Sequence, residues 1–159
     1  MYVDNATIVQ GVFVGQASSH FEALERVFRR SGWVLRHLPR VGDLLRVART
    51  HEISVVFCDA QSRDGTWRDV LRKQQSTVRP NPRLFVIQPP QSPDLWGEVV
   101  HAGGWDVFRL PIRAAVVEWM VREASFSWPR MLQRFGRAPM ARSATSGTSS
   151  RQFAQGGYA

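Results

Sequence analysis

Residues 53–67 read ISVVFCDAQSRDGTW, an apolar segment that ends at a carboxylate and then enters an Asp-Gly turn. Residues 53–58 are apolar almost throughout, which is typical of a parallel strand covered on both faces. Asp59 follows directly, and Asp64 with Gly65 predicts a turn before the next helix, because Asp and Gly favour turn conformations. This stretch therefore predicts the central strand of an α/β sheet, with a carboxylate at its end.

Strands and helices alternate five times around this stretch. Apolar segments predict strands at 8–14, 33–38, 53–58, 82–87 and 105–110, and amphipathic segments predict helices within 20–31, 41–52, 66–75, 93–102 and 113–128. Parallel neighbours need crossover connections, which are right-handed. We therefore expect an α/β fold, a doubly wound five-stranded parallel sheet in a three-layer (βα)5 sandwich that spans residues 8–128.

Local signals predict where individual helices begin and which face they bury. Ser19 and Glu22 have capping-box spacing before the first helix, and Ser92 followed by Pro93 predicts the start of the fourth. The fifth helix is predicted to bury one face, formed by Val116, Val117, Met120 and Ala124.

The positive charge is carried almost entirely by arginine. The formal net charge is +8, and Lys73 is the only lysine. No acidic residue follows Glu123, whereas five arginines do: Arg130, Arg134, Arg137, Arg142 and Arg151. Residues 129–159 are also rich in Gly, Ser and Ala. We expect a flexible basic tail there, because so few apolar groups cannot offset the entropy cost of ordering.

Cysteine content and hydropathy predict a cytoplasmic protein. Cys58 is the single cysteine, so neither an internal disulfide nor a cysteine-rich zinc site can form. The sequence lacks an apolar run of membrane-spanning length, and its first residues lack the pattern of an export signal. No membrane partner is expected.

Several of these features together resemble the receiver domain of two-component response regulators. They are the five strand-helix units, the carboxylate that ends the third strand, the motif SRDGTW, and the segment GGWDVFRLPI that leads into Pro111. The resemblance covers about residues 8–128. It implies that Asp59 occupies the position that accepts a phosphoryl group from a histidine kinase. The alternative interpretation is that Asp59 only ends the strand and caps the following turn.

Positions that would support phosphorylation depart from the family pattern. The acidic pair that helps to hold a divalent cation is matched by Gly15 and Gln16. Mg²⁺ favours sites with more than one carboxylate, so no Mg²⁺ or other cofactor is expected. Gln88 stands where the family has a Thr or Ser, and Leu110 stands where it has a lysine before the proline, here Pro111.

These departures predict a binding module rather than an enzyme. Positioned cations stabilise phosphoryl transfer, and Leu110 cannot supply one. We therefore expect a stand-alone, atypical receiver-like signalling module in a two-component or phosphorelay pathway, which works mainly through protein contacts. The resemblance implies pairing through the fourth helix, fifth strand and fifth helix, with itself or another signalling protein. The possible interaction residues are Trp96, Trp105, Trp119 and Val107, the last at the aromatic switch position.

Two alternatives remain open on the same fold. The arginine-rich segments RVFRR, RVART and PRMLQRFGR could contact nucleic acid phosphates, although no nucleic-acid-binding signature accompanies them. A flavodoxin-like electron carrier would place flavin phosphate on the loop that contains SSHFEAL. The four histidines lack metal-ligand spacing, so structural or surface roles are predicted for them. A histidine kinase partner stays an open question.

Overall fold

A five-stranded parallel sheet forms the centre of the computed structural model, which describes residues 8–78 and 80–135. The strands are β1 (Gln10–Val14), β2 (Val34–Leu38), β3 (Val55–Asp59), β4 (Gln61–Ser62), β5 (Gly65–Thr66), β6 (Arg83–Gln88) and β7 (Asp106–Arg109). The main sheet has the order β2-β1-β3-β6-β7, and β4 and β5 form a separate hairpin. This order confirms the predicted doubly wound parallel sheet.

Five helices cover the two faces of this sheet. They are α1 (Ser19–Arg30), α2 (Asp43–Ala48), α3 (Trp67–Thr77), α4 (Trp96–Ala102) and α5 (Ala114–Phe135). Helices α1 and α5 pack on one face, and α2, α3 and α4 pack on the other. The predicted three-layer (βα)5 architecture is therefore confirmed. None of the helices within the described ranges is long and apolar enough to cross a bilayer.

Side chains along β3 alternate between the two cores. Phe57 points to the α1 and α5 side, whereas Val56 and Cys58 belong to the core under α2, α3 and α4. Phe57 stacks on Phe85 with ring centroids 5.3 Å apart, and Phe85 stacks on Phe108 at 5.1 Å. Successive strand residues face opposite sides, so an almost wholly apolar strand must be covered on both.

Two predicted helix starts are wrong. The N-cap of α1 is Ser18, whose Oγ accepts from the backbone N–H of Phe21 at 3.4 Å, so Ser19 is already helical. Helix α4 begins at Trp96 and not at Pro93. The Ser92 hydroxyl donates to the carbonyl of Pro89 at 2.9 Å, which is a turn contact rather than a cap.

Helix α5 is longer than predicted and buries a different set of residues. It continues to Phe135, past residue 128, where the predicted domain ends, so residues 129–135 of the predicted tail are helical. Residues 136–159 of that tail lie outside the described residues. Val116 is 43% exposed, and the buried face consists of Val117, Val121 and Ala124. These three residues keep the helical spacing of i, i+4 and i+7.

The hairpin of β4 and β5 is a feature that the sequence did not predict. It places Asp64 in its turn, where Oδ1 accepts from the Ser62 hydroxyl at 3.2 Å. Oδ2 of Asp64 accepts from the backbone N–H of Val41 at 3.0 Å, which ties the hairpin to the loop before α2. Asp64 therefore belongs to the turn, as predicted, and also connects two loops. A capping box between Thr66 and Asp69 then starts α3.

Phe85→Ala is expected to lower the free energy of unfolding by about 3–5 kcal/mol, because it removes the middle ring of a fully buried aromatic stack. Chemical denaturation followed by circular dichroism measures this loss. Ile8→Ala is the control, since Ile8 is 56% exposed and its truncation should change stability by less than about 0.5 kcal/mol. Equal losses in the two variants would contradict the packing described.

Candidate functional site

The candidate site lies at the carboxyl edge of the sheet. All five strands of the main sheet are parallel, so the residues that end or follow β1, β3, β6 and β7 share this edge. Ligands of open α/β sheets bind at this edge. The sequence-predicted residues Gly15, Asp59, Gln88 and Leu110 stand at these four strand ends.

Asp59 is the last residue of β3, and its side chain is 24% exposed. Its Oδ1 lies 3.1 Å from Nδ1 of His20, the second residue of α1. The following backbone is fixed by other groups, because Ala60 N–H donates to the Ile87 carbonyl at 3.0 Å. The carboxylate therefore pairs with a side chain from α1. Within the described chain no turn N–H donates to it, so the turn-cap interpretation is wrong.

His20 is the site residue that sequence reasoning missed. It lies 39 positions from Asp59 in the chain, and no motif spacing links the two. The position of His20 in the first turn of the predicted first helix is the feature that could have indicated it. Since β1 pairs directly with β3, the helix that follows β1 begins beside the end of β3. Imidazole and carboxylate therefore meet through topology rather than through sequence spacing.

Gly15 and Gln16 follow β1 and supply no carboxylate. A Cβ at Gly15 would lie 3.8 Å from Oδ2 of Asp59, so the two positions are neighbours, but Gly15 has a φ of +141°, which side chains rarely adopt. Its carbonyl accepts from Nε2 of His37 at 2.6 Å. Gln16 is exposed. In residues 8–78 and 80–135, no group of three or more His, Cys, Asp or Glu side chains could hold a metal ion.

Gln88, which ends β6, is buried and uses its whole amide on the next loop. Nε2 donates to the carbonyls of Ser92 and Pro93 at 3.1 and 2.8 Å. Oε1 accepts from the backbone N–H of Leu95 at 3.0 Å, directly before α4. The amide therefore holds residues 92–95 as a loop. This also explains why α4 starts later than Ser92 and Pro93 predict.

Leu110 and Val107 place apolar groups near the end of the sheet. Leu110 is half-buried against the core under α1 and α5, and the peptide bond that joins it to Pro111 is cis. Val107 is half-buried against the opposite core. Neither residue supplies a charge to the edge where Asp59 lies.

Cys58 precedes Asp59 and is completely enclosed by the core. Burial raises the pKa of the Cys58 thiol, and the charge of Asp59 adds to the effect. Because the thiolate is the reactive form, this cysteine is an inert packing group.

The arrangement of the sheet is similar to solved receiver structures. A response regulator receiver domain protein from Clostridium thermocellum matches with a TM-score of 0.68 at 14% identity, covering 78% of this chain and 99% of that one. A CheY-like receiver domain protein from Methanospirillum hungatei matches with a TM-score of 0.65 at 11% identity, covering 78% and 98%. The chain has the response regulator receiver fold.

A third similar structure is the beryllofluoride-activated NtrC4 receiver domain dimer, with a TM-score of 0.65 at 12% identity, covering 75% of this chain and 98% of that one. No family model matches the sequence, and no curated protein matches it. At these identities the likeness shows the receiver fold alone. The roles of individual residues at the sheet edge stay predictions.

The tryptophans predicted to face a partner differ in exposure on this receiver fold. Trp96 on α4 is 53% exposed, and Trp119 on α5 is 64% exposed. Trp105 is half-buried, and the guanidinium of Arg83 lies 4.3 Å from the centre of its ring. The structure therefore brings Trp96 and Trp119 to the surface, while Trp105 packs within the fold.

Gln88→Leu is expected to lower the free energy of unfolding by about 1–3 kcal/mol, because it leaves loop groups without the partners that the buried amide supplies. The Leu95 N–H should also exchange with solvent faster, which hydrogen exchange measures. Gln16→Leu is the matched control, because Gln16 is exposed and its amide has no hydrogen bond to the described residues. Unchanged exchange at Leu95 would show that the amide does not hold the loop.

Proposed function

We propose that the chain is an atypical receiver-like signalling module of a two-component or phosphorelay pathway that acts through protein contacts. It is not an enzyme on this proposal, and it needs no Mg²⁺ or other cofactor. The observation that carries the proposal is the contact of Asp59 with His20 at a position where Gly15 and Gln16 supply no carboxylate. The receiver fold supports a signalling role by analogy of fold.

The chemistry of the edge argues against phosphorylation of Asp59. Mg²⁺ binding by one carboxylate is weak, and here that carboxylate already contacts an imidazole. Phosphoryl transfer also depends on a positioned cation near the transferred group, and Leu110 is apolar. Gln88 has no free donor for a phosphoryl oxygen, since its amide is bonded to the loop.

Exposed apolar residues on α4 and α5 support the contact role. They are Trp96, Val100, Val116 and Trp119, which we call the tryptophan face. A groove of about 350 Å³ is lined by β7, Leu110, Pro111 and α5 residues including Val116 and Met120. An Arg109 to Asp94 ion pair of 2.8 Å joins β7 to the loop before α4. Exposed aromatic groups are enriched in protein interfaces.

The occupant that we propose for the tryptophan face is a second copy of this chain. Both charge signs lie next to Trp96, because Asp94 accepts from the Trp96 backbone N–H and pairs with Arg109, so one copy can meet another without net repulsion. Symmetric dimers use such self-complementary patches. The similar NtrC4 receiver domain structure is a dimer.

Incubation with acetyl phosphate and Mg²⁺ is expected to give no stoichiometric acyl phosphate on Asp59, because Gly15 and Gln16 supply no carboxylate for Mg²⁺ and Leu110 supplies no charge. Intact mass before and after hydroxylamine treatment measures the adduct. A phosphorylatable receiver domain treated in parallel is the positive control. A stoichiometric, hydroxylamine-sensitive adduct that maps to Asp59 and that Asp59→Ala abolishes would contradict the proposal.

Trp119→Glu is expected to weaken self-association by about tenfold or more, because it replaces a large exposed aromatic group of the proposed interface with a charge. Analytical ultracentrifugation over a range of concentrations measures the dissociation constant. Ile8→Glu is the matched control, since Ile8 is similarly exposed but lies outside the tryptophan face. A chain that stays monomeric at all concentrations, or an equal effect of both variants, would contradict the dimer.

Nucleic acid binding is the weaker alternative, because many arginines in the described part of the chain already pair with acids. The pairs are Arg29 with Glu25, Arg46 with Asp43, Arg68 with Glu98, Arg72 with Asp69, Arg109 with Asp94, and Arg122 with Glu118. Phosphate binding depends on unpaired positive charge that displaces counterions. These ion pairs favour the interpretation that the arginines lie on solvent-exposed surfaces rather than in a nucleic acid interface.

A further inference from the structure

We propose that His20 is a phosphoacceptor, with Nε2 as the atom that takes the phosphoryl group and Asp59 as a positioning residue. The site is the imidazole and carboxylate pair at the start of α1 and the end of β3. This inference goes beyond the contact role and does not depend on the tryptophan face. On this inference, the receiver fold is modified covalently at the histidine, and the carboxylate of Asp59 is not the acceptor.

The contact with Asp59 determines which ring nitrogen of His20 is nucleophilic. An ionised carboxylate only accepts hydrogen bonds, so at 3.1 Å from Oδ1 the Nδ1 atom must carry the proton. The neutral ring then has its lone pair on Nε2. A carboxylate that holds an imidazole in one tautomer is the arrangement by which acidic side chains orient catalytic histidines.

His20 is the histidine whose surroundings suit this chemistry. Its side chain is 29% exposed, and Nε2 has no hydrogen-bond partner among the described residues. His37 uses its Nε2 on the carbonyl of Gly15. His51 contacts the Thr50 hydroxyl, and neither His51 nor His101 has a carboxylate partner within the described chain. Only His20 combines an oriented ring with an open Nε2.

The start of α1 also favours a phosphoryl group on His20. His20 lies in the first turn of a helix of 12 residues, where unpaired backbone N–H groups and the helix dipole stabilise anions. Glu22 shares this turn, but it is exposed, so solvent screens its charge. The carboxylate of Asp59 is bound at Nδ1, across the ring from Nε2.

The transfer needs a donor with a phosphorus–nitrogen bond, such as a phosphohistidine of another protein or phosphoramidate. The Nε2 lone pair attacks phosphorus and forms the new bond while the bond from phosphorus to the donor nitrogen breaks. The donor reacts in its protonated form, so its nitrogen departs as neutral ammonia from phosphoramidate or as neutral imidazole from a phosphohistidine. Nδ1 keeps its proton, so the ring becomes cationic, and Asp59 stabilises that charge.

The test is incubation of the full chain with phosphoramidate, followed by intact mass and peptide mapping. We expect one phosphoryl group on His20, stable to alkali and lost in mild acid, which distinguishes a phosphorus–nitrogen bond on histidine from an alkali-sensitive aspartyl phosphate. His20→Gln should remove it, whereas His51→Gln, which changes an exposed histidine after α2, should retain it. Peptide mapping of the wild-type adduct decides the site even if His20→Gln folds poorly.

Asp59→Asn tests the positioning role, because it keeps the shape of the side chain and removes its charge. We expect the initial rate of phosphorylation to fall by about 10- to 100-fold, as is usual when the partner of a functional histidine is changed. Nitrogen-detected NMR of the His20 ring should show the proton on Nδ1 in the wild type and a mixture of tautomers in Asp59→Asn. Circular dichroism confirms that both chains are folded.

Three results would overturn the inference. They are the absence of any adduct, an adduct that hydroxylamine removes and that maps to Asp59, and equal labelling of several histidines. An unchanged rate and tautomer in Asp59→Asn would remove the positioning role. None of these results bears on self-association, which is measured separately through Trp119→Glu, so failure of the two proposals can be distinguished.

Discussion

The burial of β3 on both faces is the constraint on which the rest of the structure depends. Val56 and Phe57 fill opposite cores, so helices must cover both sides of the sheet. Covered parallel strands require crossover connections, and these connections bring every strand to an end at the same edge. Asp59 is the first residue of β3 that is not fully buried. It lies at the edge of the sheet where α/β folds bind ligands and carry reactive groups.

Sequence patterns predicted the parts of this fold that depend on local hydrophobicity. The apolar run before Asp59 is such a pattern, and the structure buries the residues that it indicates. The ends of helices were less predictable, because side chains from distant parts of the sequence can bond to the same backbone groups that a helix cap would use. Ser92 and Pro93 carry a helix-start signal, yet the Gln88 amide holds their carbonyls in a loop.

The end of the fifth helix was also difficult to predict from local sequence. The predicted fifth helix stops at residue 128, directly before Pro129, and proline lacks a backbone N–H and usually ends or bends a helix. The helix nevertheless continues to Phe135. At the candidate site, the positions of Asp59, Gln88 and Leu110 followed from strand order, but the contact with His20 did not. Which residue faces a strand end depends on how far α1 rotates about its axis, and sequence spacing does not record this rotation.

The amide of Gln88 has a consequence for how this edge of the sheet can move. One buried side chain bonds to three successive parts of the loop, at Ser92, Pro93 and Leu95. Small displacements of the loop would stretch all three bonds together, and a large one would break them together. The segment between β6 and α4 is therefore built to behave in an all-or-none manner. On the other side of β3, the edge is connected differently, because the first turn of α1 reaches the strand end through the contact of His20 with Asp59.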